Sequence, residues 1–333
     1  MKAVFLCDSE ELIKEVYAPE TVERLKLLTE LDERVCTYKD LISGDRNLTD
    51  AEYIFSTWLM PTLTADEIKK YLPNLKAVFY AAGSVQGFAR PFLKCGIDVF
   101  SAWAANAVPV AEYTAAQIIL ANKGFYRSAL LASRGEREKA YAEFKKYPGN
   151  YGAKIGIIGA GMIGKKVIGL LKNYQLEVMV FDPFLKSAAA DELGVKKVSL
   201  ETLFESCNVI SNHLANNAQT KGMLNYGLFS KFVPNATFLN TGRGAQVAED
   251  DLCKILTERK DVTAILDVTD PEPPLPESPF FKLENCILTP HIAGSSGFEV
   301  RRMSVFMAEE FERVLTDEPV RFKVTEKMLD TMA

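Results

Sequence analysis

The run Ile155-Gly156-Ile157-Ile158-Gly159-Ala160-Gly161-Met162-Ile163-Gly164, continued by Lys165 to Asn173, joins a short apolar strand to a glycine-rich turn and then to a helix. Each glycine serves the backbone in its own way, Gly159 permitting a tight turn, Gly161 a close approach of another group, and Gly164 the packing of helix on strand. The first amides of such a helix, at Gly161, Met162, Ile163 and Gly164, lack intrahelical acceptors, and the helix dipole favours negative charge there. A pyrophosphate therefore fits, and the turn reads as a dinucleotide loop. Glycines also recur in ordinary turns, so the context has to decide. Asp182 ends the next apolar strand, 18 residues beyond Gly164. A carboxylate there can accept both ribose hydroxyls and would repel a 2′-phosphate, which points to NAD rather than NADP. The competing reading of Asp182 is a strand-end turn residue ahead of Pro183.

Working outward from this loop, the strand and helix rhythm continues on both sides. Downstream, Ile155–Ile158, Glu177–Phe181, Val209–Ser211, Ala236–Asn240, Thr263–Asp267 and Cys286–Thr289 read as six strands separated by helical stretches, a doubly wound parallel sheet. Upstream, Ala3–Leu6, Tyr53–Ser56, Leu75–Tyr80 and Ile97–Phe100 predict a smaller parallel α/β unit. Thr64 and Glu67 have the spacing of a reciprocal cap, so a helix is expected from there to about Leu72. Val108 to Ala121 is too long and apolar for a strand and reads as a buried helix connecting the units. Gly124 to Asn150 reads as an exposed helical arm, either simply solvated or used as a subunit contact. Pro271 to Pro279 must be a stiff loop.

Composition narrows the function. With 333 residues the chain is long enough for two domains and two cores. A net charge of −5 offers no broad basic surface, which argues against nucleic acid or an anionic membrane as the main partner. The amino-terminal MKAVFLCDSEEL reaches acidic residues too soon for a signal-peptide core, and no run approaches a membrane span, so a cytoplasmic protein is expected. The six cysteines contain no CxxC pair and read as reduced thiols, and no metal site is expected.

Three remote residues supply a candidate chemistry. Arg243, in Asn240-Thr241-Gly242-Arg243-Gly244, follows a strand end, where open α/β sheets hold their ligands. Its planar guanidinium can grip a carboxylate through two parallel hydrogen bonds and polarise the neighbouring carbonyl. Glu272 sits between Pro271 and Pro273 and has little freedom to wander. His291, one of only two histidines, can release a proton near neutral pH, as hydride transfer to a carbonyl requires. A carboxylate bonded to the imidazole would orient it and stabilise its charged form.

With these residues in place, the chain resembles the D-isomer specific 2-hydroxyacid dehydrogenase family. The matching pieces are Asn106–Glu112 (NAVPVAE), Ile157–Gly164, Phe181–Pro183, Leu239–Asp251 (LNTGRGAQVAEDD), Leu266–Pro276 (LDVTDPEPPLP) and Leu288–Gly294 (LTPHIAG). The resemblance implies a Rossmann NAD-binding domain, 105–294, inserted into a flavodoxin-like substrate domain, 1–104 plus 295–333. It implies that Arg243 binds and polarises the substrate, that His291 is the acid/base, and that Glu272 supports it. Asp267 would bond the nicotinamide amide, or else cap its strand. His213, Thr220, Thr241, Gly242 and Gly294 would flank the cofactor, with Ala215 standing where the family usually has proline.

The implied substrate loop is Gly83, Ser84 and Val85, whose backbone amides would hold the substrate carboxylate. Trp58 would cap the substrate side chain, or pack at the domain seam. Downstream of Val85 the chain has Gln86, Gly87 and Phe88 where the family commonly has a glycine and an aspartate, which leaves the acid's identity open. The expectation is an NAD-dependent oxidoreductase acting between a small 2-oxo acid and its (R)-2-hydroxy acid, assembled as a homodimer. Two alternatives use the same scaffold. One is an NADH-sensing binding protein like the C-terminal-binding corepressors. The other is a formate or phosphite dehydrogenase, of which the formate type usually carries glutamine at the position of Glu272.

Overall fold

Residues 1–330 are described by the computed structural model of the chain. They form two units, Met1–Ala107 with the chain from Ser295, and Val108–Gly294. The division falls inside the helix Trp103–Ala121. That helix begins five residues ahead of the expected Val108 and carries Pro109 at its seventh position, past the first turn, where proline has no amide to offer the Ala105 carbonyl.

The first unit is a five-stranded sheet of β1 (Lys2–Leu6), β2 (Glu30–Cys36), β3 (Tyr53–Ser56), β4 (Ala77–Tyr80) and β5 (Asp98–Ser101). All neighbours pair parallel in the order β2-β1-β3-β4-β5, the flavodoxin-like arrangement. Its core explains why a distant segment belongs here. Phe55, Phe79 and Phe100 rise from adjacent strands, with the Phe79 and Phe100 rings stacked at 4.8 Å. The helix Val300–Leu315 lays Phe311 edge-on against Phe55 and Phe79, at 5.2 and 5.3 Å. Burying such a ring contributes roughly 4 kcal/mol. The Thr64 to Glu67 cap forms as the spacing predicts, opening the helix Ala65–Tyr71.

The second unit has seven strands: β6 (Tyr151–Ile158), β7 (Gln175–Phe181), β8 (Lys196–Lys197), β9 (Val209–Asn212), β10 (Thr237–Asn240), β11 (Thr263–Leu266) and β12 (Cys286–Leu288). They pair parallel in the order β12-β11-β10-β9-β6-β7-β8. The direction of winding reverses between β6 and β9, so the carboxyl ends of those strands open the crevice where doubly wound sheets hold ligands. β9, β10 and β11 are buried along their whole length, as strands covered on both faces must be.

Two strands were not expected, β2 and β8. Both lie at sheet edges and carry charge, ELDERVC and KK, so neither shows the apolar run of a central strand. The helix after the glycine turn runs Met162–Leu171, beginning three residues before the expected Lys165. The arm consists of two helices, Phe125–Ser133 and Arg137–Phe144, and exposes Phe125, Tyr141 and Phe144. All six cysteines are free thiols. Among the described residues no helix is long and apolar enough to cross a membrane.

Candidate active site

The dinucleotide loop leaves β6 with Gly159 at φ +90°, a left-handed conformation that a side chain rarely adopts. A Cβ there would also lie 2.7 Å from the carbonyl oxygen of His213, and one on Gly164 would collide with the Gly159 carbonyl. Around Gly161 there is open space. No side chain caps the start of the ten-residue helix Met162–Leu171, so its leading amides and dipole stay available to an anion. The cradle fits a pyrophosphate. Asp182 ties the next strand end to this loop: it accepts the Ala160 amide at 2.7 Å, and its other oxygen accepts Phe184 and Leu185 at 2.7 and 3.1 Å. The strand-end turn role is therefore present in the structure.

His213 follows β9. Its amide donates to the Ile158 carbonyl at 2.8 Å and its Nε2 lies 2.9 Å from the Ser211 hydroxyl. The Nδ1 atom is enclosed without a partner, and burial pushes the ring's pKa down to about 4, so it stays neutral at ordinary pH. Thr220 closes its own loop, its hydroxyl donating to the Ala215 carbonyl at 2.6 Å. Thr241 is buried, and its hydroxyl meets that of Thr114 at 3.2 Å. These bonds make both threonines parts of the loop framework.

Arg243 projects from the turn after β10. Its Nη1 donates to the Gly242 carbonyl at 2.7 Å, and among the described residues it forms no ion pair. Burial lowers its pKa, opposed by the nearby Glu272 carboxylate, yet a guanidinium stays charged throughout the working range. What remains is a half-buried cation with donors to spare. The turn is anchored by Gly244, where a Cβ would run into the backbone of Thr269 and Asp270. Arg243 is thereby held beside the proline-rich loop that carries Glu272.

In that loop the Glu272 carboxylate meets His291 Nδ1 at 2.6 Å, the two side chains being 38% and 45% exposed. His291 has φ +55°, which costs a residue with a Cβ on the order of 1 kcal/mol. The compensation comes from Asp267. Its buried carboxylate accepts the Thr289 hydroxyl at 2.6 Å and the Ile292 and Ala293 amides at 2.8 and 2.9 Å, while its carbonyl accepts the His291 amide at 3.0 Å. Hydrogen bonds to a charged acceptor contribute about 1.5–3 kcal/mol each, enough to outweigh the unfavourable φ. Asp267 thus shapes the loop that presents His291. A cavity of about 510 Å³ opens beside Glu272, Pro273, Pro290 and His291. With Nδ1 engaged, Nε2 is the ring nitrogen left for another partner.

The other candidate residues belong to the first unit. The Ser101 hydroxyl donates to the carbonyls of Ala82 and Gly83 at 3.0 and 2.6 Å, Val85 is buried and Ser84 exposed, so the loop is pinned at both ends and open at its middle. Trp58 is half-buried against the core of its unit, and its carbonyl accepts the Cys7 thiol at 3.1 Å. Sequence reading missed the amide side chains of Asn212, Asn240 and Gln246, which are fully buried beneath Arg243. One signal for two of them was available: β9 and β10 both end on asparagine, and Asn240 pairs with Asn212 in register.

Comparison with known proteins agrees with this architecture. Residues 119–293 match the profile of the NAD binding domain of D-isomer specific 2-hydroxyacid dehydrogenases. A D-3-phosphoglycerate dehydrogenase of Archaeoglobus fulgidus is 32% identical over 258 residues, 77% of this chain and 48% of the relative. A glyoxylate reductase of Korarchaeum cryptofilum is 35% identical over 159 residues, 48% of each chain. The chain spans about half the length of the curated relatives it matches. In fold it is similar to apo D-mandelate dehydrogenase of Rhodotorula graminis, with a TM-score of 0.80 at 18% identity over 98% of both chains.

Proposed function

Because the chain belongs to the D-isomer specific 2-hydroxyacid dehydrogenase family, we propose that it is an NAD-dependent oxidoreductase interconverting a small 2-oxo acid and its (R)-2-hydroxy acid. The observation that carries this reading is the 2.6 Å contact of Glu272 with His291 Nδ1, in the same unit as the open glycine cradle and an Arg243 that has no ion pair among the described residues.

A bound nicotinamide dinucleotide supplies or takes up the hydride. Arg243 holds the substrate carboxylate in a two-pronged grip and polarises the oxo group. His291, oriented through Nδ1 by Glu272, gives the proton on Nε2 to the carbonyl oxygen as C2 is reduced, and takes it back in oxidation. Glu272 stabilises the charged ring that waits to donate. Asp182 would accept the ribose hydroxyls and repel a 2′-phosphate, which favours NAD over NADP. Gly83, Ser84, Val85 and Trp58 are the residues we assign to the recognition of the acid. The exposed aromatic residues of the arm, Phe125, Tyr141 and Phe144, support a homodimer built through it.

The test is NADH oxidation followed at 2-oxo acid concentrations spanning saturation for glyoxylate, hydroxypyruvate and pyruvate, with His291→Asn alongside. Turnover of at least one acid is expected, with the variant at least a thousandfold slower while its NADH affinity stays within threefold. A variant with normal turnover would remove His291 from the acid/base role.

A further inference from the structure

Position 246 is fully enclosed, in the short turn that follows Arg243, where a chain would ordinarily place an apolar side chain. It holds a glutamine, and each polar atom of that side chain has a partner. Oε1 accepts the Asn212 amide group at 2.5 Å and the Arg243 backbone amide at 3.2 Å, while Nε2 donates to the Leu214 carbonyl at 2.6 Å. The two asparagines complete the set. Asn212 donates to Asn240 Oδ1 at 3.0 Å and accepts the Leu214 amide at 3.2 Å, and Asn240 donates to the Arg243 carbonyl at 3.1 Å. Both backbone polar groups of Arg243 are thus held by buried side-chain amides. So are both of Leu214, whose neighbour His213 packs its carbonyl against Gly159.

We propose that Gln246 is a positioning residue of this site, its buried amide fixing the backbone from which Arg243 reaches the substrate carboxylate and locking that turn to the His213–Leu214 loop beside the dinucleotide cradle. The inference rests on the assignment of Arg243 as the carboxylate-binding group. A half-buried guanidinium whose carboxylate partner arrives only with substrate has no ion pair to aim it, so its backbone must be fixed by other bonds. Fully satisfied buried amides supply that rigidity, and a network missing one member leaves others unpaired.

Gln246→Met keeps length and volume and removes the polar atoms. With the 2-oxo acid that the unmodified protein reduces best, kcat/KM is expected to fall about thirtyfold, while NADH affinity, measured by fluorescence titration, moves less than threefold. The decisive reading is a double-mutant cycle. In an Arg243→Lys background, where the two-pronged grip is already lost, the same change should cost less than threefold, whereas a merely structural defect would cost the same in both backgrounds. A kcat/KM within threefold of the unmodified protein, or an undiminished loss in the Arg243→Lys background, overturns the proposal. Should Gln246→Met not fold, hydrogen exchange at the Arg243 amide of the unmodified protein decides the premise: protection supports it, and exchange at the rate of an unstructured chain refutes it. If the unmodified protein reduces no 2-oxo acid at all, the assignment of Arg243 fails first, before the role of Gln246 is reached.

Discussion

His213 offers the sharpest physical test of the second unit, because its stability contribution has a calculable pH dependence. Its Nδ1 is enclosed with no acceptor, so a second ring proton would be buried without a partner, and burial holds the pKa at about 4 against an ordinary 6.5. Between those values the unfolded chain takes up the proton and the folded chain does not. Stability from this ring is therefore fully present above pH 6.5 and is lost as pH falls towards 4, roughly 3 kcal/mol in total and about 2 kcal/mol by pH 5. In His213→Gln that loss disappears, since glutamine does not titrate. We expect the drop in unfolding free energy between pH 7.5 and pH 5 to be about 2 kcal/mol smaller in the variant than in the unmodified protein. Carboxylates common to both chains titrate in both and cancel, and the other histidine, His291, is unchanged. The assay must report on the right unit. Both tryptophans, Trp58 and Trp103, lie in the first, so fluorescence is unsuitable, and urea unfolding followed by hydrogen exchange at the β9 amides is the appropriate measure. Equal pH dependence in the two proteins, within about 0.5 kcal/mol, would refute the argument that the ring is held neutral by its surroundings.

Two further outcomes are expected. Arg243→Lys should lower kcat/KM for the best oxo acid by about a hundredfold with NADH affinity little changed, because an ammonium loses the parallel pair of hydrogen bonds; steady-state kinetics with NADH titration checks it. Gly244→Ala should separate the Arg243 turn from the Glu272 loop, since a Cβ there has no space against Thr269; both turnover and melting temperature should fall, by at least tenfold in kcat/KM and by several degrees in a thermal melt.

How far the sequence could be read follows from where each residue's signal resides. The central strands were legible because a strand covered on both faces is mostly an apolar run, as Ala264 to Leu266 is. β2 and β8 were not, because an edge strand answers to solvent on one side and is better served by charge than by apolar residues. Arg243, Glu272 and His291 could be singled out because a guanidinium, a carboxylate and an imidazole at strand ends or between prolines carry chemistry in their residue type alone, and the fold adds the 2.6 Å contact of Glu272 with His291 Nδ1. Asp267 was half legible. Its strand-end position marked it for a role, yet only the fold reveals that three donors of the 289–293 loop converge on its carboxylate.

The amides of Asn212, Asn240 and Gln246 lay furthest from view, and the reason extends to sites of this kind in general. An uncharged amide has no diagnostic chemistry, and each is an ordinary residue in its own segment. Their network exists only once β9 and β10 pair and bring two strand-end turns within hydrogen-bonding distance, which is a property of register and not of pattern. A charged group at that depth would have required its own partner and would have disturbed the field around Arg243, whereas an amide both donates and accepts without adding charge. Under the proposed role of Arg243, a neutral network beneath it is the arrangement that would fix the guanidinium while leaving its charge for the substrate.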